Sequence, residues 1–273
     1  MLAAEQGRTW GYGSPAALTC YALGLTGLGA WLLIERRMGE EALIPLRLFR
    51  AAPFSLSALA GAALGAAMLG TMMTLPLYYQ IVRGASPTRS GLMMLPLMAG
   101  LVLASALSGR VIARSGRYKA FFVTGLALVA VAALALSPLL DTDVPLIAVM
   151  GLAAVLGLGL GSSMQPLTLS VQAAAPVRDM GVATSAATFT RQLGGTAGIA
   201  GCVAVVFGRT GEIGDSSAMT ASFAGSFAAA VRPVFLLVAI LAAAGFLMAL
   251  LIKELPLHPT TGPRARATEG ITR

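Results

Sequence analysis

The sequence predicts an all-α integral membrane protein with seven transmembrane helices. Three observations carry this. Hydrophobic residues make up 57% of the chain and charged residues only 11%, against about 25% charged in soluble domains. So apolar a chain cannot cover a water-facing surface, and lipid must be most of its solvent. Seven long apolar runs follow one another, at 15–34, 54–82, 90–112, 119–140, 144–172, 180–207 and 233–252, each near the roughly 20 residues that cross a hydrocarbon core about 30 Å thick. The basic residues gather in short clusters between those runs. Backbone groups in lipid must be satisfied within the segment, so each run is read as a helix; the alternating pattern of a membrane β-barrel is absent.

The net charge of +8 is not a nucleic-acid footprint, because the basic residues form no single stripe with interleaved aromatics. Cys20 and Cys202 lie in separate apolar runs and His258 is the one histidine, which leaves no disulfide framework, metal site or His-based triad, and no catalytic constellation. No cofactor is expected, and the chain reads as no enzyme. The stretch before the first run lacks the basic n-region of a signal peptide.

The elements follow in order. Residues 1–14 precede the first run. After it, 38–50 mixes Leu43, Ile44, Leu46, Leu48 and Phe49 with Arg47 and Arg50, which suits an interfacial helix as well as a plain loop. Run 54–82 carries Ser55, Ser57, Thr71, Thr74, Tyr78, Tyr79 and Gln80; run 144–172 carries Ser162, Ser163, Gln165, Thr168, Ser170 and Gln172; run 180–207 carries Thr184, Ser185, Thr188, Thr190, Arg191, Gln192 and Thr196. These three are expected to face other helices or water. Runs 119–140 and 233–252 are almost free of polar side chains and can face lipid all round. Residues 208–232 read as a loop and 254–273 as a disordered tail.

One side of the membrane would hold thirteen basic residues, from Arg36 through the 110–119 loop and Arg178 to the tail, and the other only five. The positive-inside rule puts the rich side in the cytoplasm, with the N-terminus outside and the C-terminus inside. Abundant Ala and Gly with arginine far above lysine fit a GC-rich bacterial genome, hence a bacterial inner membrane.

Small residues four apart let helices approach closely. Gly61 and Gly65, Gly157 and Gly161, and Gly194 and Gly198 form such pairs, read as packing positions. Arg191 lies about 11 residues into its run, roughly 16 Å at 1.5 Å per residue. A charge at that depth needs water, an acid or carbonyls; it belongs either to a substrate or proton path or to a lock between two helices. No acidic residue lies inside the seven runs. Arg191 cannot release its proton, and Tyr78 and Tyr79 are poor proton carriers.

The run LPLYYQIVRGASPTRSGLMMLPLMAG from Leu75 to Gly100 and the run FTRQLGGTAGIA from Phe189 to Ala200 resemble signatures of the fourteen-helix drug:proton antiporters of the major facilitator superfamily (EmrB/QacA type). Residues Ile44 to Arg50 and Trp10 to Pro15 resemble that family's linker and an outer loop. The resemblance implies the C-terminal six-helix half of a major facilitator fold plus one preceding linker helix: 1–53 an outer loop, linker helix and cytoplasmic interfacial segment, 54–253 the six-helix bundle, 254–273 the tail. It further implies that 54–82 and 144–172 line a cavity, that 90–112 and 180–207 meet a second half, and that the function is multidrug efflux by proton antiport. The partners implied are the lipid bilayer, small lipophilic or cationic substrates, protons in the intact transporter and an N-terminal half carrying the acidic coupling residues. The substrate-path candidates are Tyr78, Tyr79, Gln80, Met93, Met94, Met164, Gln165, Phe189, Arg191 and Gln192; for the methionines plain packing is the ordinary alternative. Gly109, Arg110, Arg114, Gly116 and Arg117 resemble the superfamily's cytoplasmic loop motif, with Ala113 where the motif has an acid. A non-transporting membrane partner, or a half-transporter needing a separate N-terminal half, is the competing reading.

Overall fold

The computed structural model describes residues 15–38, 48–140, 144–210 and 221–252. Among them every element is helical: α1 (Pro15–Met38), a 3-10 turn (Leu48–Arg50), α2 (Ala52–Ile81), α3 (Pro87–Met93), α4 (Leu95–Ser115), α5 (Lys119–Leu139), α6 (Leu146–Ala173), a 3-10 turn (Val177–Asp179), α7 (Met180–Thr210) and α8 (Ala221–Leu251). Helices α2, α3 with α4, α5, α6 and residues Gly225–Leu251 of α8 are long and apolar enough to cross a bilayer. Helices α1 and α7, of 24 and 31 residues, have the length to complete seven crossings, at about 1.5 Å per residue. The expected outer loop at 1–14, most of the interfacial segment and the tail lie outside the described residues.

Local chemistry sets the boundaries. Ser86 caps α3 by accepting the Arg89 N–H, with Pro87 in the first turn, where a missing N–H costs nothing. The run expected as 90–112 is two helices, because Pro96 lacks the donor that would continue α3 through Met94. Gly84 turns the chain before α3 with φ +61°, a conformation that favours glycine.

Three expectations need correction. The region 208–232 is not all loop: α7 continues to Thr210 and α8 begins at Ala221, so Pro233 lies inside a helix. The Ala-rich stretch before it favours helix, and Pro233 removes only the one bond that its N–H would make to the Ala229 carbonyl, a loss that a membrane helix tolerates; beside it, the Ser137 hydroxyl of α5 donates to the Arg232 carbonyl at 2.9 Å and ties α5 to α8. Helix α1 runs on to Met38 and takes in Glu35 near its end. Neither α5 nor α8 is exposed all round: α5 buries Phe122, Leu126, Val129, Ala133 and Leu136 and exposes Leu128, Val131 and Leu134, since an apolar helix satisfies protein and lipid equally.

The short α3 aside, the six long helices after α1 form two triples, α2–α4–α5 and α6–α7–α8. Helix α2 packs chiefly on α7 and α8, α6 chiefly on α4 and α5, and α5 on α8. Exchanging the triples leaves this pattern unchanged, as expected of an internal repeat. Helices α4 and α7 do not pack on each other; they stand apart, flanking α2 and α6.

Candidate translocation surface

Glycine-lined seams fix where α4 and α7 stand. On α6, a Cβ built on Gly157 would lie 2.1 Å from the Leu97 carbonyl oxygen, and one on Gly161 2.1 Å from that of Leu101. On α7, a Cβ on Gly194 would meet the Ala62 carbonyl oxygen at 2.2 Å, and one on Gly198 the Ala66 Cα at 2.6 Å. No real Cβ fits at such distances, so only glycine lets these backbones touch. Gly61 is looser, with Leu167 side-chain carbons at 3.1 and 3.2 Å. Gly100, Gly125 and Gly159 are further close approaches; the four-residue spacing cannot find them, because each works without a glycine one turn away.

Gly65 sets the central residue. A Cβ there would lie 2.1 Å from the Arg191 carbonyl oxygen and 2.9 Å from Arg191 Cγ. The arginine stem therefore crosses the bare face of α2, and Nη1 reaches the Met164 sulfur on α6 at 2.9 Å. Arg191 thus joins α2, α6 and α7 well inside the bundle. Gln165, next to Met164, is exposed and lies against Gly109 of α4, its Cγ 3.9 Å from the built Cβ.

Helix α7 turns a polar face outward. Ser185, Thr188, Gln192 and Thr196 are exposed beside Phe189 and Leu193. Their spacing of three and four residues makes one stripe. The hydroxyls are already satisfied within the helix: Ser185 donates to the Gly181 carbonyl, Thr188 to Thr184 and Thr196 to Gln192. Toward the helix start the Gln172 amide of α6 donates to the Thr184 hydroxyl at 3.1 Å. The hydroxyls of Ser57 on α2 and Ser170 on α6 share a buried hydrogen bond of 2.7 Å.

The remaining candidates lie elsewhere. Tyr78 and Tyr79 are fully buried near the far end of α2, with ring centroids 5.7 Å apart. Arg83 donates to the Tyr78 hydroxyl at 3.1 Å and to the Val144 carbonyl, tying the turn after α2 to the start of α6. Gln80 donates to Ser90 at 3.1 Å, and Met93 and Met94 are buried in the core. The structure therefore brings Arg191 of α7 onto Met164 of α6, leaves Phe189 and Gln192 exposed on α7 and Gln165 exposed against α4, and places the group from Tyr78 to Met94 elsewhere. Charge in an apolar run was the signal for Arg191; nothing in sequence spacing pairs Ser57 with Ser170, 113 residues away.

At the arginine-rich end, α4 closes on Gly116 with φ +69°, its N–H donating to the Ile112 carbonyl at 2.8 Å. Arg110, Arg114 and Arg117 are exposed there. Lys119 donates to the Leu250 carbonyl in the last turn of α8 at 2.9 Å, a cation at a helix C-terminus. Among the described residues no group of three or more His, Cys, Asp or Glu stands where it could hold a metal ion.

The sequence pattern of the Major Facilitator Superfamily matches residues 9–199. A tetracycline resistance determinant of Streptomyces rimosus is 41% identical over 207 residues, covering 76% of this chain and 59% of that protein. An uncharacterized MFS-type transporter of Mycobacterium tuberculosis is 36% identical, covering 92% of this chain and 39% of its own length. A multidrug transporter protein of Bacillus subtilis is 30% identical over 207 residues, covering 76% of this chain and 38% of its own. The chain spans between 38% and 59% of the length of these curated relatives.

Proposed function

Because the chain belongs to the Major Facilitator Superfamily, we propose that it works as the C-terminal portion of a fourteen-helix exporter that moves small lipophilic compounds out of the cell in exchange for protons. The observation that carries this is the α7 surface: a polar stripe around Gln192, with Arg191 beside it bonded only to a thioether, in a helix that otherwise sits among apolar neighbours. Polar and charged groups inside a membrane bundle mark transport paths. The packing pattern of two exchangeable triples supports the same reading, since such repeats are how transporters build a central site that opens to alternate sides. The relatives named a tetracycline resistance determinant and a multidrug transporter protein are longer than this chain, which fits a reading in which a second half completes the transporter.

In this reading the arginine-rich end faces the cytoplasm of a bacterial inner membrane and α1 is the linker helix. Faces of α4 and α7 meet the N-terminal half. The proton carrier belongs to that half, because Arg191 keeps its proton.

The test is dye efflux from cells lacking their own drug pumps, expressing this chain with and without a candidate N-terminal half from a second gene. Efflux with both chains and none with either alone is the expected result. Efflux from this chain alone would argue for a self-associating pump instead. No efflux from the pair, with both chains verified in the membrane, would leave the non-transporting partner as the better reading.

A further inference from the structure

We propose that Arg191 is an anion-binding residue, and that the compounds taken by this half of the path carry an ionised acidic group, such as a carboxylate, phenolate or enolate, on an apolar body. This rests on the exporter reading and deepens it by naming a substrate class.

The first step is charge. Arg191 carries a permanent positive charge about 16 Å along α7 from Met180, at 1.5 Å per residue. A buried or half-buried charge is tolerated when it is paired or well hydrogen-bonded. The one acidic side chain the structure describes, Asp179, lies in the turn before α7, 3.8 Å from Arg178, about 18 Å of helix rise from Arg191. Nothing else on α7 from Met180 to Val206 is charged. The partner Arg191 does have is the Met164 sulfur at 2.9 Å, a neutral and weak acceptor.

The second step is exchange. A guanidinium offers five donors in a planar fork and binds an oxyanion through two parallel charge-assisted bonds. Replacing one N–H···S contact by such a pair is a clear gain. Met164 can give way, since its unbranched side chain turns about three bonds. The arginine is held at its base, where its carbonyl and Cγ pack on Gly65 of α2. The sulfur therefore acts as a placeholder, and the guanidinium stays within reach of a ligand that displaces it. Neighbouring exposed Phe189 and Leu193 offer an apolar surface, and Gln192 a neutral amide. An organic cation would meet a positive field here, with no carboxylate nearby among the described residues of this half to oppose it. Lipid headgroups share the anion's chemistry but lie near the membrane surface, roughly 15 Å from the mid-plane, so the occupant is a compound within the path.

The test uses the full chain in neutral detergent micelles with two xanthene dyes of similar shape, fluorescein as the anion and rhodamine 6G as the cation, read by fluorescence anisotropy. The expected result is that wild type prefers fluorescein. Arg191→Gln should then weaken fluorescein at least tenfold, Arg191→Lys should weaken it less, Met164→Leu should bind as well or better, and rhodamine should not change. Arg191→Lys, which keeps the charge, carries the comparison if Arg191→Gln does not fold. Equal fluorescein binding by wild type and the arginine variants, or a wild-type preference for rhodamine, overturns the proposal. Efflux by the two-chain pair separates the two readings. Arg191-dependent binding without export of either dye upholds the anion site and sinks the exporter; export of rhodamine alone upholds the exporter and sinks the anion site.

Discussion

Helices α4 and α7 hold the same place in the two triples, yet they are built differently. Each packs on the first helix of the opposite triple through a glycine seam. The α4 seam takes glycines from both sides, Gly157 and Gly161 of α6 and Gly100 of α4, whose added Cβ would lie 2.5 Å from the Ala154 carbonyl oxygen. Helix α4 carries large apolar residues outward, exposing Leu95, Val102, Leu103 and Leu107. The α7 seam likewise takes Gly194, Gly195 and Gly198 from α7 and Gly65 from α2, yet the outward face of α7 carries the polar stripe. Helix α7 is also braced by α8 and lightly by α6, while α4 rests on α6 and the short α3. Topology thus sets where a helix stands. With both seams drawing glycines from both partners, the face that looks away is set by each helix's own sequence, apolar on α4 and polar on α7.

This comparison is broken most severely at the α4 seam. Gly161→Leu forces side-chain atoms into the Leu101 backbone, with no second helix to hold α4 in place. Overpacking costs typically about 1–3 kcal/mol and sometimes more, and a backbone-to-backbone seam belongs at the upper end. The expected outcome is loss of the monodisperse peak in detergent size exclusion. Gly151→Leu on the same helix is the control: a Cβ there meets nothing within 4 Å, and the protein should elute as wild type.

The α7 seam should fail more gently. Gly65→Ala places one methyl against Arg191. We expect about 1–3 kcal/mol lost in denaturant titration, with α7 retained by α8. Because the same methyl displaces the arginine stem, Arg191-dependent fluorescein binding should fall by more than the stability loss accounts for. A variant that loses stability but binds normally would show that Arg191 is not positioned by Gly65.

Much of this was legible in the sequence, and the reasons are physical. Long apolar runs fix crossings because lipid admits nothing else, and the depth of Arg191 follows from helix rise alone. The start of α8 was not legible, since Pro233 reads as a boundary, although it removes only one bond of a helix held by its packing on α2 and α5. Tyr78 and Tyr79 look like path residues by composition, yet they are buried near the far end of α2, where Tyr78 accepts from Arg83 and the Tyr79 hydroxyl is buried without a hydrogen-bond partner; polarity alone does not place a side chain on a path. The meeting of Met164 with Arg191 needed coordinates, because the contact depends on how α6 and α7 are turned about their axes.

A smaller effect is expected at the hydroxyl pair joining the two lead helices. Ser57 also donates to the Pro53 carbonyl at 2.7 Å, so Ser57→Ala removes one bond across the bundle and one local bond. Interhelical hydrogen bonds in membranes average only about 0.6 kcal/mol in double-mutant cycles. A cycle of Ser57→Ala and Ser170→Ala should return a coupling of that size; a value near zero would mean that the contact merely accompanies the packing of α2 on α6.

The smallest stability effect and the sharpest test of the comparison come from the α7 stripe. Ser185, Thr188 and Thr196 already bond carbonyls of their own helix, and backbone-bonded hydroxyls of this kind stabilise a helix little. Thr188→Val and Thr196→Val together should therefore change stability by no more than about 0.5 kcal/mol. If the stripe exists for a solute or for a second half, the same pair should nonetheless reduce efflux by the two-chain pair. The mirror substitution, Leu103→Thr on α4, tests whether the stripe's position alone suffices. It should leave binding unchanged, because the α4 face has no Arg191 beside it, and a gain of fluorescein binding there would show that polarity, rather than the fixed charge, makes the α7 surface what it is.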